Sequence, residues 1–487
     1  MAAPCDGLSA LKLPATVIAT AQLVDAGAFT LPAAPGRGGG ANPYAALPAF
    51  CRVTATLAPS SDSDIKAEFW LPAANWNGKL QVVGNGGYAG VISYPAMAKA
   101  LSQGYAAAST DTGHTGGSGA FAQGHPEKLV DFGYRAVHET TVQAKAIVKA
   151  FYAAEAKRSY WNGCSTGGRQ GLMSAQKFPG DFDGIVAGAP ANYMSHLQPW
   201  SLWVPKALHE SEESYIPPAK YPVLHRAVLQ ACDALDGVKD GVIEDPTRCH
   251  FDPKTIECTG ADTSTCLTPA QVTAARKVYS DAVNPRTGAR IFPSLEPGSE
   301  LGWSGLGGAQ PMGIPVDTFR YIVYANPAWD WHGIDFDKDV AAVEKTFKDV
   351  VDAVNPDLSP FFGRGGKLLL YHGWNDQLIA PRNSIDYFNA VSYTLGTAKA
   401  EEAMRLYMVP GMNHCSGGDG TSNFDMMPVL ERWVEQGQAP LRVVASRTAP
   451  NRTRPLCPYP QVAVYKGTGS TDEEENFVCS VPRQGIQ

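Results

Sequence analysis

At 487 residues the chain exceeds what one hydrophobic core fills, so a large domain carrying an insertion or a second domain is expected. Hydrophobic residues make up 44% and charged residues 18%, a globular balance able to bury a sizeable core. A net charge of −7 gives no basic footprint for nucleic acid, and no apolar run reaches the roughly 18 residues that a membrane span needs. Both partner classes are therefore excluded. Ten cysteines, none in a Cys-x-x-Cys pair, suit disulfides in an oxidising compartment better than metal or redox sites. The start, Met1 to Cys5, has no basic segment followed by a long apolar one. The expectation is a periplasmic or secreted protein whose signal peptide has been removed and replaced by Met1.

Along the chain, residues 51–57 and 65–71 alternate in polarity around the polar turn 59–63 and predict a hairpin. A short strand over 80–83 runs into the glycine loop 84–90. Residues 105–110 predict another strand, ending in Asp111-Thr-Gly-His114. Val137, Thr141, Ala144, Val148 and Phe151 recur at helical spacing within a helix predicted over 127–156. A strand at 159–162, a helix from Gly167 to Phe178 and a strand at 182–188 continue an alternation that indicates a mostly parallel sheet with helices on both faces.

That rhythm stops near Asn192. From 193 to 356 the chain is rich in Trp, Pro, Gly and Cys, with helical pieces between long irregular stretches. Strands return at 367–371 and 405–409. A helix at 426–436 and a strand at 442–446 are expected to complete the sheet. The fold class is α/β, an α/β-hydrolase core with a large inserted lid domain: core over 1–192 and 357–487, lid over 193–356.

Gly163-Cys-Ser-Thr-Gly167 is the single G-x-S-x-G in the chain, straight after one predicted strand and before a helix. In that setting the serine occupies a sharp turn that lifts its hydroxyl above the sheet, and the flanking glycines remove steric conflict. An ordinary Gly/Ser turn is the alternative. A serine nucleophile needs a base, and the base an orienting acid, in the chain order Ser, Asp or Glu, His. Asp376 follows the Leu-rich strand, and His414 follows the next one. His372 precedes Asp376 by only four positions and reads as a structural loop residue, while His114 precedes the serine and has the wrong order.

Two backbone N–H groups are needed for the oxyanion. One is expected from Thr166 and the other from Gly86 or Gly87 in the glycine loop. That loop could also be read as a phosphate cradle, but no Lys-Ser/Thr follows it. Cys164 precedes Ser165 and Cys415 follows His414. If base and nucleophile meet, the two sulfurs are neighbours and a disulfide would tie the catalytic loops together.

Gly163-Cys-Ser-Thr-Gly-Gly168, Asp376 and His414-Cys415 closely resemble the CS–D–HC arrangement of the tannase and feruloyl esterase family, which also contains mono(2-hydroxyethyl) terephthalate hydrolase. The resemblance runs over nearly the whole chain. It implies a bonded Cys164–Cys415 pair, a lid inserted between the Ser and Asp segments, and aryl esters bound between lid and core. It implies the further pairs Cys5–Cys51, Cys232–Cys249, Cys258–Cys266 and Cys457–Cys479.

The run from Asp233 to Val242 resembles that family's structural calcium site, implying the side chains of Asp233, Asp236 and Asp240 with the carbonyls of Val238 and Val242. Independently, three carboxylates three and four residues apart with interleaved glycines can wrap a hard cation in oxygen ligands, although the spacing is not that of an EF-hand. The alternative is a solvated acidic turn.

The expected activity is serine-dependent hydrolysis of small-molecule aryl esters, of the feruloyl, galloyl or terephthalate-monoester type, through an acyl-enzyme. Trp303 and Phe319 are candidates to stack on the aryl group, and Arg320 to meet a substrate carboxylate. The rings can equally form the lid's own core. A hydrolase of aliphatic esters or polyesters is the competing reading, and a non-catalytic binding protein on this scaffold a more remote one. No His/Asp cluster has zinc-ligand spacing, which disfavours a metal hydrolase.

Overall fold

A computed structural model describes residues 3–31, 42–88 and 90–482, so Met1 and Ala89 of the glycine loop lie outside the described residues. The chain forms two compact units: Met1–Ala187 with Val350–Ala353 and Leu358–Gly366, and Gly188–Asp349 with Val354–Asp357 and Lys367–Gln487.

The first unit contains strands β1 (Thr16–Val24), β2 (Phe50–Leu57), β3 (Ile65–Pro72), β4 (Lys79–Val83), β5 (Ala106–Thr110), β6 (Arg158–Cys164) and β7 (Gly184–Gly188), in the spatial order β1-β2-β3-β5-β4-β6-β7. The hairpin expected at 51–57 and 65–71 is present as the antiparallel β2–β3 pair, Leu57 opposite Ile65. Pairing turns parallel from β5 to β4 and from β4 to β6. The strand β1, which pairs antiparallel with β2, was not anticipated; its outer face is largely exposed, as an edge strand permits. β5 consists of Ala, Ser and Thr alone and is wholly buried, its short side chains letting the helix Ala136–Tyr152 pack closely on the sheet.

The helix expected over 127–156 is interrupted. A π-helical turn at Asp131–Arg135 separates Pro126–Val130 from Ala136–Tyr152, and Ala153 ends the run in a left-handed conformation. The turn has a physical use. Arg169, wholly buried on the helix Thr166–Lys177, donates from Nη1 to the carbonyls of Gly133 (2.8 Å) and Val351 (3.2 Å), and from Nη2 to that of Phe132 (3.1 Å). A widened turn frees carbonyls from the intrahelical ladder, and here they solvate a buried cation. Burial pulls the guanidinium down to about 10, so it remains charged at neutral pH.

The second unit contains β8 (Ala282–Val283), β9 (Arg290–Phe292), β10 (Lys367–Gly373), β11 (Met404–Val409), β12 (Val443–Thr448), β13 (Asn451–Leu456), β14 (Val462–Tyr465) and β15 (Phe477–Ser480). β10 and β11 are parallel, Leu368 beside Met404. The strand expected at 442–446 does not complete the sheet. As β12 it pairs antiparallel with β13 in a separate ribbon, Thr448 opposite Asn451 across a tight turn, because the next alternating run lies two residues away. Helices in this unit include Met194–Leu208, Tyr221–Cys232, Pro269–Val278, Lys338–Phe347, Arg382–Leu395 and Met427–Gln436. No helix among the described residues is long and apolar enough to cross a membrane.

Bridges join Cys5 to Cys51, Cys232 to Cys249, Cys258 to Cys266 and Cys457 to Cys479. Cys164 and Cys415 are each disulfide-bonded as well, and no free cysteine is found among the described residues.

Replacing Arg169 with Met keeps apolar bulk but strips donors from three buried carbonyls. The expected cost is about 3 kcal/mol or more, read as a lower midpoint in thermal or urea unfolding. An unfolding midpoint equal to that of the wild type would mean the carbonyls do not depend on this side chain.

Candidate active site

β6 delivers the chain to Ser165, whose φ of 64° and ψ of −124° lie where a residue with a side chain is strained; the helix Thr166–Lys177 begins at once. The glycines on either side have a steric reason. A Cβ on Gly163 would stand 2.7 Å from the carbonyl of Gly167, and one on Gly84 would stand 2.6 Å from the Cα of Gly167. The glycine loop and the turn therefore meet backbone to backbone.

Hydrogen bonds hold them in register. Gln170 accepts from the Asn85 N–H and donates to Asn85 Oδ1, both at 3.1 Å, and the Asn85 amide donates on to the carbonyls of Val91 and Thr110. The Thr166 hydroxyl donates to the Gly87 carbonyl at 2.9 Å, and His114 Nε2 donates to that of Tyr88 at 2.7 Å. The structure thus brings Ser165, Thr166 and Gly87 together in the first unit. Gly87 has a φ of 57°, whereas Gly86 borders open space on its Cβ side. His114, set aside on chain order, is a support of the glycine loop. Asn85 and Gln170 had no sequence signal, being 85 positions apart.

In the second unit β10 ends at Gly373 and leads to Asp376, while β11 ends at Val409 and leads to His414. Backbone bonds from Trp374 N–H to the Val409 carbonyl and from Asn375 N–H to the Met412 carbonyl (2.9 Å each) align the two loops. His414 Nδ1 meets Asp376 Oδ2 at 2.7 Å. Asp376 is 0% exposed, and its Oδ1 accepts from the N–H groups of Leu378 and Ile379 at 2.8 and 2.9 Å. The wholly buried His372 also reaches Oδ2, at 3.0 Å. The Gln377 side chain accepts from the His414 N–H at 3.3 Å.

Burial alone would raise the Asp376 pKa, but the charge of His414 and the hydrogen bonds from both histidines hold it well below the usual carboxylate range. Burial alone would lower that of His414, and the Asp376 charge and hydrogen bond outweigh it, leaving the imidazole more basic than usual.

The candidates for substrate contact, Trp303, Phe319 and Arg320, sit in the second unit. Trp303 is buried, its indole N–H donating to the Ser299 hydroxyl at 3.0 Å, with Tyr279 and Tyr221 edge-on. Phe319 is also buried and stacks on Trp329 at 4.9 Å, with Tyr324 alongside. Arg320 spends its Nε on the Trp329 carbonyl at 2.9 Å.

The acidic loop lies in the same unit. Asp233 accepts from the N–H groups of Asp240 and Gly241, Asp236 from Val238, and Asp240 from Val242. Asp240 also meets Arg452 at 3.0 Å and Arg454 at 2.5 Å. A cavity of about 20 Å³, lined by Asp236, Asp240, Val242 and Glu244, opens between this loop and Pro410, Gly420 and Thr421 of the stretch carrying His414. Burial, together with the charges of Asp240 and Asp233, pushes Asp236 up to about 6. The cavity is also lined by Arg452 and Arg454, whose guanidinium groups pair with Asp240, so Asp236 and Glu244 are the carboxylates left to meet a hard cation there. Among the described residues the carboxylate and sulfur atoms of Cys258, Asp262 and Cys266 converge within metal-ligand range, but these cysteines cannot ligate through sulfur because they are bonded to each other.

The His414 titration is directly measurable. By histidine NMR its midpoint is expected above the ordinary value of about 6.5. Asp376→Asn removes the charge while leaving the burial, so the midpoint should then fall below that value. A midpoint that does not move would break the assignment of Asp376 as its partner.

A sequence profile described as tannase and feruloyl esterase matches residues 51–480. An uncharacterized esterase of Xanthomonas campestris is 40% identical, the alignment covering 98% of this chain and 91% of the relative. A probable feruloyl esterase B-2 of Aspergillus terreus is 38% identical over 88% of this chain and 86% of its own. The crystal structure of feruloyl esterase B from Aspergillus oryzae superposes with a TM-score of 0.91 at 32% identity, over 98% of this chain and 99% of that one. With an α/β-hydrolase fold, this chain belongs to the tannase and feruloyl esterase family and is a carboxylic ester hydrolase.

Proposed function

We propose that the protein hydrolyses aryl esters through a serine acyl-enzyme, with Ser165 as nucleophile, His414 as base and Asp376 as the acid that orients it. The strained turn at Ser165, flanked by Gly163, which has no room for a side chain, and by the tightly packed Gly167, carries the reading; the 2.7 Å contact of His414 with a buried carboxylate supports the base that serine requires.

His414 Nε2 takes the Ser165 proton as the oxygen attacks the ester carbonyl. The negative charge formed on the carbonyl oxygen is met by the N–H groups of Thr166 and Gly87, each contributing about 3 kcal/mol, with Gly86 the alternative to Gly87. The imidazolium returns its proton to the leaving alkoxide, and the alcohol departs. Water then attacks the acyl-enzyme with His414 again as base, releasing the acid and Ser165. Asp376 stays ionised throughout and stabilises the imidazolium. Cys164 and Cys415 are assigned to one bridge, which closes a loop of about 250 residues and contributes up to roughly 5 kcal/mol in the chain-entropy model.

The aryl preference draws on the names of the relatives; Trp329, partly exposed where it stacks on the buried Phe319, and Arg320 are the candidates to meet the substrate, while the buried Trp303 packs among Tyr221 and Tyr279. Calcium is assigned to Asp233, Asp236 and Asp240 with the carbonyls of Val238 and Val242, where it would neutralise the crowded carboxylates. Ten bonded cysteines support residence in an oxidising compartment, periplasmic or extracellular.

Ser165→Ala should lower turnover by at least about a thousandfold while leaving the melting temperature nearly unchanged. The assay set is methyl ferulate, methyl gallate, mono(2-hydroxyethyl) terephthalate and p-nitrophenyl butyrate. Serine-dependent preference for an aryl acid supports the reading, and cleavage of the butyrate alone sinks the aryl assignment. Chelation should lower the melting temperature, and calcium should restore it; an unchanged melting curve removes the metal.

A further inference from the structure

We infer that His372 is a positioning residue that holds the Asp376 carboxylate ready for His414, an inference that rests on the serine-hydrolase reading above. An ionised carboxylate offers about four lone-pair sites. On Asp376 two are taken by the Leu378 and Ile379 N–H groups, a third by His372, and the fourth is left for His414 Nδ1. The acid is thereby fixed in position and in rotation.

The tautomer of His372 follows from its partners. Nε2 faces two acceptors, Asp376 Oδ2 at 3.0 Å and the Ile379 carbonyl at 3.1 Å, so Nε2 carries the hydrogen. Nδ1 lies 2.7 Å from the hydroxyl of the wholly buried Ser384, which donates to it. An imidazole donating through Nε2 orients the carboxylate and leaves the remaining lone pair of Oδ2 for His414. The support is rigid: His372 is on β10, and Ser384 is on the helix Arg382–Leu395. His414 and His372 both act to lower the Asp376 pKa, and Asp376 acts to raise that of His414.

Two variants separate positioning from packing. Asn at this place imitates Nδ1 and keeps a partner for Ser384, but is too short to reach Asp376. Gln places its amide near the former Nε2. Steady-state kinetics on methyl ferulate and p-nitrophenyl butyrate across pH, with melting curves, are run for wild type, Ser165→Ala, His372→Asn and His372→Gln. His372→Asn should lower kcat about ten- to hundredfold with KM nearly unchanged. With one donor fewer, Asp376 becomes more basic and holds the His414 proton more tightly, so the acid limb of kcat/KM should move up by about 0.5 pH unit. His372→Gln should restore both. A His372→Asn enzyme with wild-type kcat or an unmoved limb overturns the inference, as does a folded His372→Gln enzyme as impaired as the Asn variant. Wild-type activity that survives Ser165→Ala instead overturns the underlying mechanism.

Discussion

Where Gly84, Gly163 and Gly167 meet, there is no room for a Cβ on any of them without contacts near 3 Å or shorter, and the placing of Ser165 depends on that contact. Because the backbones touch, Gln170 on the second turn of the following helix is close enough to clasp both the N–H and the side chain of Asn85. Because Asn85 is clasped, the loop presents Gly87 beside Thr166. The strained dihedrals of Ser165, which cost about 1 to 3 kcal/mol, persist because so much around them is fixed. A glycine here does steric work that its lack of a side chain alone makes possible.

The loops that carry Asp376 and His414 achieve rigidity by other means. Its loops are laced by backbone hydrogen bonds and filled in from the same unit: Gly298 lies against the Asn375 side chain, and Gly302 and Gly305 against Gln377. Asp376 is placed by donors rather than by contact of backbones. The acidic loop and the stretch that carries His414 line one small cavity, with Asp236 and Asp240 on one part of its wall and Pro410, Gly420 and Thr421 on another. The serine turn is set by shape and Asp376 by hydrogen-bond count.

What the sequence revealed follows the range of each interaction. The serine turn is a local pattern, five residues between a strand and a helix, and could be read directly. Asp376 and His414 were found because each follows a strong strand. His372 was set aside because four positions from an aspartate says nothing about facing it; contact depends on the turn at Asn375. The Asn85–Gln170 pair spans two elements and leaves no periodic trace. β1 did carry an alternating pattern, but one exposed on much of its length, so hydrophobicity did not mark it. β12 looked like another sheet strand because strand propensity does not specify a partner, and the nearby alternating run of β13 captured it. The cysteine pairings came from resemblance, since spacing alone leaves hundreds of combinations.

The carbonyl of Val351 lies 182 positions beyond the arginine it solvates. Residues 350–353 and 358–366 belong to the first unit although the ribosome makes them after most of the second. Domains generally fold as units, N-terminal first during synthesis. Here the first unit is not contiguous: one of the carbonyls that meet Arg169, on the helix that follows Ser165, is made some 180 residues later, so this unit has its full set of contacts only once residues 188–349 have been made as well.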